Sequence, residues 1–484
     1  MDTTVLIVGA GPTGLALALS LERQGIPFRI IDRAAEPGTA SRAIAVQART
    51  LEMYDQLGFA DEVVAAGLKL NKPTIWTKGQ RRATIPFGDF GAGLSPYPYV
   101  LMYPQDAHER LLISHLKTQV ERPVSLTAFT QDDSGVIAKI STGETIRAKY
   151  LAGCDGAHSM VREQIGANFP GGTYEQSFYV ADVTAIAIDH RDEFYFFLRP
   201  RDFLLVLPLP QRNRFRLIGV VPREIQKDQL TYNDLSPFVA GETPLHVTEC
   251  HWFSTYRVHH RVTSKFRVGR AFLLGDAAHI HSPAGGQGMN TGISDAFNLG
   301  WKLARVTRGA PDALLDTYAT ERHAFAEKLV ATTDRVFTRM VGRSLLSRLI
   351  RTVIAPKIIP FLMQMDFFRK FAFRTVSQLI VDYRGSALSR GETGNLKGGD
   401  RLPWVGNNFL ALQSMTWQVH SYGPAHPDLV AYCSQKNLPL IVFPETRIGG
   451  LAAGGIYLVR PDGYLGYAGF ETTALRAYVD QWRI

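Results

Sequence analysis

Apolar residues fall along this chain in more than one rhythm, and each rhythm predicts a different kind of element. The opening run VLIVG, residues 5–9, is continuously apolar and ends on glycine, as a strand buried on both faces does. Pro12 then suits the first turn of a helix, LALALSLERQ, and Gly25 is placed as its C-terminal cap. FRIID returns as a second strand ending at Asp32, so the first 33 residues read as a βαβ unit. A helix is predicted from about residue 49 to 57, stopped by Gly58. Residues 73–98, rich in Gly, Pro and aromatics, read as strands and loops of an insertion. PQDAHERLLISHLKTQV predicts a helix with Pro104 near its start and Leu112 and Leu116 on one face. Three short strands follow between residues 124 and 151, with STGE as the turn between the last two.

From about residue 170 to 268 the βα alternation stops. FYFFLRPRDFLLVLPLP and RFRLIGVV are rich in aromatic and aliphatic residues, which predicts a mostly antiparallel sheet in a separate substrate lobe. AFLLGD then restores a buried strand, followed by a long helix over about 288–306 and more helices to about 380. GGDRLPW, residues 398–404, reads as a linker. A small α/β unit closes the chain, ending in the hairpin IYLVRPDGYLGYAG with its turn at 461–463.

Composition narrows this picture slightly. The 484 residues are 45% hydrophobic and 20% charged, an ordinary globular balance for two or three domains. The charge of +9, from 53 basic and 44 acidic residues, suits an anionic cofactor or substrate. It is spread too widely for a nucleic-acid partner to be expected. Cys154, Cys250 and Cys433 are odd in number and far apart, with no CxxC, so a cytoplasmic, reducing location is expected. The apolar N-terminus lacks a basic n-region and carries Asp2, so it is not read as a signal peptide. No apolar run of about 18 residues is free of charge, so no membrane span is expected.

The candidate chemistry sits at strand ends. Gly9-x-Gly11-x-x-Gly14 lies between strand and helix, with Asp32 eighteen residues past the last glycine. Gly9 allows the tight turn, Gly11 lets a pyrophosphate approach the backbone, and Gly14 allows close helix–strand packing. The helix N-terminus adds unpaired N–H groups, and Asp32 can accept from ribose hydroxyls. This fingerprint leaves FAD and a nicotinamide dinucleotide equally open. No second GxGxxG follows a strand, and GGLAAGG has the wrong spacing, so one dinucleotide has a dedicated fold. GCDGAHSMVR places Asp155 at a strand end before a helix, where a capped helix explains it as well. GDAAHIHSPAGGQGMN begins at Gly275 and Asp276 and runs into a helix at Gly288. A helix N-terminus there can stabilise negative charge on a flat heterocycle. His279 and His281 have no third ligand of suitable type nearby, so no metal is expected. Cys154 reads as a small buried residue.

Together these motifs resemble the single-component FAD-dependent aromatic hydroxylases, the para-hydroxybenzoate-hydroxylase-like class. The closer likeness is to its larger branch of phenol and pentachlorophenol hydroxylases and polyketide oxygenases. The likeness runs through GAGPTG, SRAIAVQARTLE, PQDAHERLL, GCDGAHSMVR and LLGDAAHIHSPAGGQGMNTGISDAFNLGWKLA. It implies an α/β chain: a Rossmann-type FAD-binding domain over 1–72, 104–168 and 269–397, the last with helices. A substrate lobe would take 73–103 and 169–268, and a thioredoxin-like C-terminal domain without CxxC 398–484. It also implies site roles. Gly9, Gly11, Pro12 and Gly14 would hold the FAD pyrophosphate, with Asp32 on the adenosine ribose and Arg33 near the adenine. Arg42 would lie by the pyrophosphate and the entering NADPH or NADH, and Gln105 by the ribityl region. Asp155 would serve FAD and NAD(P)H binding, and Gly275 and Asp276 the ribityl chain. Pro283, Gly286, Gly288, Met289 and Asn290 would wrap the isoalloxazine. The class often has Glu where this chain has Asp32; the shorter acid still fits a ribose.

The reaction so implied is hydroxylation of an aromatic, phenolic or polyketide-like substrate with NAD(P)H and O2 through a flavin C4a-hydroperoxide. Baeyer–Villiger or epoxidising chemistry on a polyketide or antibiotic uses the same flavin loop, and a non-catalytic FAD-binding protein is the rival of another class. A halogenase is disfavoured because WxWxIP is missing. No catalytic base is identified, and a monomer or homodimer is expected. One stretch stays outside this reading. Residues 341–374 carry seven basic residues against Asp366, with Leu, Ile and Phe interleaved. A helix packed on the body with solvated charges is expected there, and membrane contact is not.

Overall fold

The structure is a computed structural model. It describes the chain apart from residues 39–42, 71, 78, 86–89, 187–192, 200–201, 226–228, 242, 283–284 and 343, so Arg42 and Pro283 lie outside the described residues. The continuous apolar run at the start forms the strand Thr3–Val8, where Val5, Leu6 and Ile7 are wholly buried. It is paired in parallel with Phe28–Ile31 on one side and Thr145–Gly153 on the other; Ala271–Leu273 lies beyond, also parallel. Val8 is level with Ile31 and Gly153, and Gly153 with Leu273. The segments after all four strands therefore emerge at one edge, the carboxyl edge where open α/β sheets bind ligands.

Two helices against this sheet cross closely. Pro12–Arg23 and Gly288–Thr307 meet where a Cβ on Gly292 would lie 2.2 Å from Thr13 Oγ1 and one on Gly300 2.4 Å from Ser20 Oγ. The helix begun at Pro104 is shorter than its apolar pattern predicts, Gln105–Ser114.

The second sheet has eight strands, from His279–Ile280 at one edge to Gln80–Thr84 at the other. It is antiparallel except where Glu193–Leu198 meets Lys72–Thr77. The insertion is split between two structures. Lys72–Thr77 and Gln80–Thr84 complete this sheet, while Val100–Met102 pairs with Ala45–Val46 and Leu68–Leu70 in a small sheet of its own. The outer face is covered by the helix Tyr232–Ala240 through Tyr232, Leu235 and Val239. On the inner face Val180, Leu207 and Ile218 pack against Ile44, Val100 and Met102.

The C-terminal unit has the βαβ–ββα order of a thioredoxin-like fold. Its strands lie in the order Leu440–Phe443, Gln418–Tyr422, Ile456–Val459, Leu465–Gly469, with the helices Pro427–Lys436 and Thr472–Trp482. Its hairpin turn is driven into the first domain. Arg460, fully buried, grips both oxygens of Glu321 at 2.8 and 3.0 Å, and Lys302 Nζ donates to the same carboxylate at 2.8 Å. Asp462 accepts from Trp301 Nε1 at 3.0 Å, and its carbonyl accepts from Arg49. Arg401 completes the seam by pairing with the buried Glu52.

Candidate active site

The three glycines of the first loop do three different things. Gly9 has φ +102°, and a Cβ there would meet the Cys154 carbonyl oxygen at 2.3 Å. At Gly14 a Cβ would lie 1.9 Å from the Gly9 carbonyl oxygen. At Gly11, the N-cap, it would meet nothing within 4 Å, because that position faces open space at the head of Pro12–Arg23. That space is part of a cleft of about 490 Å³ lined by this loop, Asp32, Arg33, Glu109, Arg122 and Asp155.

The cleft's charged groups come from separate elements. Asp32 accepts from the Ala10 N–H at 2.6 Å and the Ala34 N–H at 2.8 Å, and Arg122 Nη1 stands 3.3 Å away. Arg122 also donates to the carbonyls of Ala34 and Glu36. Arg33 is exposed at the rim. Gln105 donates its amide to Glu109 at 2.7 Å, and burial of Glu109 pushes its carboxyl up. Asp155 accepts from the Val161 N–H through Oδ2, while Oδ1 is enclosed without a hydrogen-bond partner. Burial raises its pKa too. The residue lines the same cleft as Asp32 and the glycine loop. Open space at Gly11 and the carboxylates of Asp32 and Asp155 along the cleft fit a diphosphate-bridged ligand carrying hydroxyls. Arg122 was not legible in sequence, because it belongs to no motif, and Glu109 lies within PQDAHERLL without being singled out there.

The second half of the site is built around Asp295. This fully buried carboxylate accepts from the Gly275 N–H at 2.9 Å, from His279 Nε2 at 2.8 Å and from Arg322 Nε at 2.5 Å. Arg322 and His279 hold its pKa below the usual carboxylate range despite burial. Gly275 has φ +57°, and Asp276 is left exposed on the turn Gly275–Ala277. His279 is thus one arm of a hydrogen-bonded hub fixing the loop to the helix Gly288–Thr307. His281 donates from Nδ1 to the Ser282 carbonyl; its Nε2 is enclosed without a partner, and burial lowers its pKa to about 4.

Asn290 is a clamp rather than a free amide. Its Oδ1 accepts from the Gln47 N–H and Thr50 Oγ1, and its Nδ2 donates to the carbonyls of Ala45 and Gly286. The glycine run is thereby held against the segment that begins the Ala48–Leu57 helix, while Met289 packs against the core. Gly288 opens its helix, where the first N–H groups have no intrahelical partner. Above this end, the inner face of the second sheet carries Val180, Leu207 and Ile218 and also Arg216, which grips Asp182 with two 2.7 Å bonds. Sequence reasoning did not single out this pair; cross-strand neighbours 34 residues apart become visible only in the sheet register.

A dinucleotide cleft at the carboxyl edge, joined to an anchored glycine run beneath an apolar sheet, defines a two-lobed flavoprotein. The family model described as FAD binding domain matches residues 2–333, well over half of the chain, and the chain belongs to that family. A flavin-dependent monooxygenase of Mycobacteroides abscessus is 33% identical over 493 residues, 96% of this chain and 96% of that one. The 6-methylpretetramide 4-monooxygenase of Streptomyces rimosus is 32% identical over 524 residues, 98% of this chain and 92% of its own. Among solved structures, the OxyS anhydrotetracycline hydroxylase from Streptomyces rimosus aligns with a TM-score of 0.80 at 28% identity, over 100% of this chain and 99% of that one. The protein is an FAD-dependent monooxygenase of the aromatic hydroxylase type.

Proposed function

We propose that this enzyme hydroxylates an electron-rich aromatic ring, phenolic or polyketide-like, consuming NAD(P)H and O2 and releasing water. The carrying observation is the meeting of the dinucleotide cleft, the anchored glycine run and the apolar inner face of the second sheet at one edge of the molecule. When bound, FAD supplies hydride acceptance and oxygen activation. The chain's own residues supply the rest. Gly9, Gly11 and Gly14 let the head of Pro12–Arg23 meet the pyrophosphate, and Arg122 balances its charge. Asp32 keeps lone pairs for ribose hydroxyls beside the two backbone donors it already serves. Asp155 and Asp276 would hold the cofactor's hydroxyl-bearing chain, and the head of the Gly288–Thr307 helix would stabilise negative charge on its ring. Asn290 and Asp295 act as positioning residues that fix these loops. Phe196, Leu205 and Tyr256 on the inner face form an apolar floor that excludes water from the substrate ring. The three free thiols suit a reducing cytoplasm.

Stopped-flow reduction of the purified yellow enzyme by NADPH and NADH, against a panel of phenols and fused aromatic polyketides, tests this reading. At least one aromatic should accelerate reduction and leave as a hydroxylated product. Acceleration by none, or H2O2 release without product in every case, rejects it. Asp276→Ala should lose FAD during purification, checked by flavin absorbance per protein.

A further inference from the structure

The helices that follow Ala313–Val341 were expected to pack on the body with their charges in water. Their apolar side chains are in water as well. Of the twenty-one large apolar side chains exposed among the described residues, eleven lie between residues 345 and 371, so the exposure is concentrated in one segment. Leu345 is 83% exposed, Phe367 73%, Phe361 65% and Leu346 63%. They fall on outward stripes: Leu345 and Leu349 in Leu345–Leu349, Ile358 and Phe361 in Ala355–Leu362, Phe367 and Phe371 in Asp366–Val376. Spacings of three and four put each pair on one helix face.

The segment is firmly seated on its other side. Arg351 is buried and donates to the carbonyls of Arg199, Met340 and Gly342, while Phe373 is fully buried with its ring 5.2 Å from that of Phe90. The outward stripes are therefore presented by an anchored element.

Charge indicates what covers them. Over residues 344–376 six basic side chains stand against the single acid Asp366, which pairs with Arg369 and Lys370. Arg348, Lys357 and Arg374 are exposed and form no ion pair among the described residues. A second copy fits poorly, because a two-fold contact sets a patch against itself and would bring these cations together. A folded partner grips through anchors in a central pocket with a polar rim. Here separate apolar tips alternate with cations across successive short helices, as on elements that lie in a lipid interface.

We propose that this helical cap docks on an anionic lipid surface, with the leucine and phenylalanine tips among the acyl chains and Arg348, Lys357 and Arg374 at the phosphates. No helix among the described residues is long and apolar enough to cross a membrane, so the cap lies on the surface.

Co-sedimentation of the flavin-loaded full chain with vesicles of phosphatidylcholine, alone or mixed with phosphatidylglycerol, tests the proposal. Binding should favour the anionic vesicles and fall as salt rises. Neutralising Lys357→Gln or Arg374→Gln should each weaken it about fivefold. The triple variant Leu345→Ser, Phe361→Ser, Phe367→Ser should lose at least about tenfold. Unchanged flavin content and melting temperature show that these variants stay folded. The proposal falls if the wild type ignores anionic vesicles at low salt, binds neutral ones equally well, or binds no differently from the triple variant. It falls equally if vesicle binding is absent and the triple variant instead dissolves a dimer or abolishes binding to polyglutamate.

Discussion

A methyl group on Gly14 would sit 1.9 Å from the Gly9 carbonyl oxygen, and that oxygen is backbone, so it has no rotamer to escape into. Gly14→Ala must push the Pro12–Arg23 helix off the strand below it. The expected cost is about 1–3 kcal/mol, with FAD lost on gel filtration while the C-terminal unit stays folded. Buried histidines set a second expectation at this scale. Burial lowers His108 and His420 to about 3 and His281 to about 4. Each stays neutral in the fold but protonates near pH 6.5 once unfolded. Their contribution is thus fully present above about pH 6.5 and is lost as pH falls toward 3–4, by roughly 1.4 kcal/mol per pH unit for each histidine. The melting temperature should fall steadily from pH 7 to pH 5 in a fluorescence-monitored melt, and less in His281→Phe. A flat profile would contradict the assignment.

Elements were the most legible scale, because their signals are local. The glycine loop, the Gly58 stop and the hairpin turn at 461–463 depend on neighbours within a few residues, and such patterns survive in one dimension. Pairings across long separations left no such trace. Asp295 joins Gly275, His279 and Arg322 only once the long helix is laid beside the GD turn. In one dimension His279 therefore shows no partner. The cap's outward apolar stripes were not legible for a related reason: alternating apolar and basic residues say that a helix has two faces, not which face is covered. Helix crossing gives the prediction proper to this scale. Gly300→Ala gains about 1 kcal/mol of helix propensity but sets a Cβ 3.0 Å from Ser20 Cβ, which cannot rotate away. Overpacking outweighs propensity, and a net loss of about 1 kcal/mol is expected in urea unfolding.

Across the whole molecule, the turn Arg460–Asp462 makes the C-terminal unit part of the first domain's interior. Glu321 is held far below the usual carboxylate range by Arg460 and Lys302, and burial still depresses Lys302 to about 8 despite that partner. Glu321→Gln leaves two buried cations short of a counter-charge. It should cost roughly 3–5 kcal/mol in chemical denaturation, with the C-terminal unit detaching first under limited proteolysis. That penalty bears on how such a chain can change over generations. Glu321 and Arg460 stand 139 positions apart, yet replacing either alone removes a large share of a typical domain's 5–15 kcal/mol margin. Descent through single substitutions is closed at this seam, so the two segments are expected to drift together, as a pair of co-varying columns with Lys302 beside them.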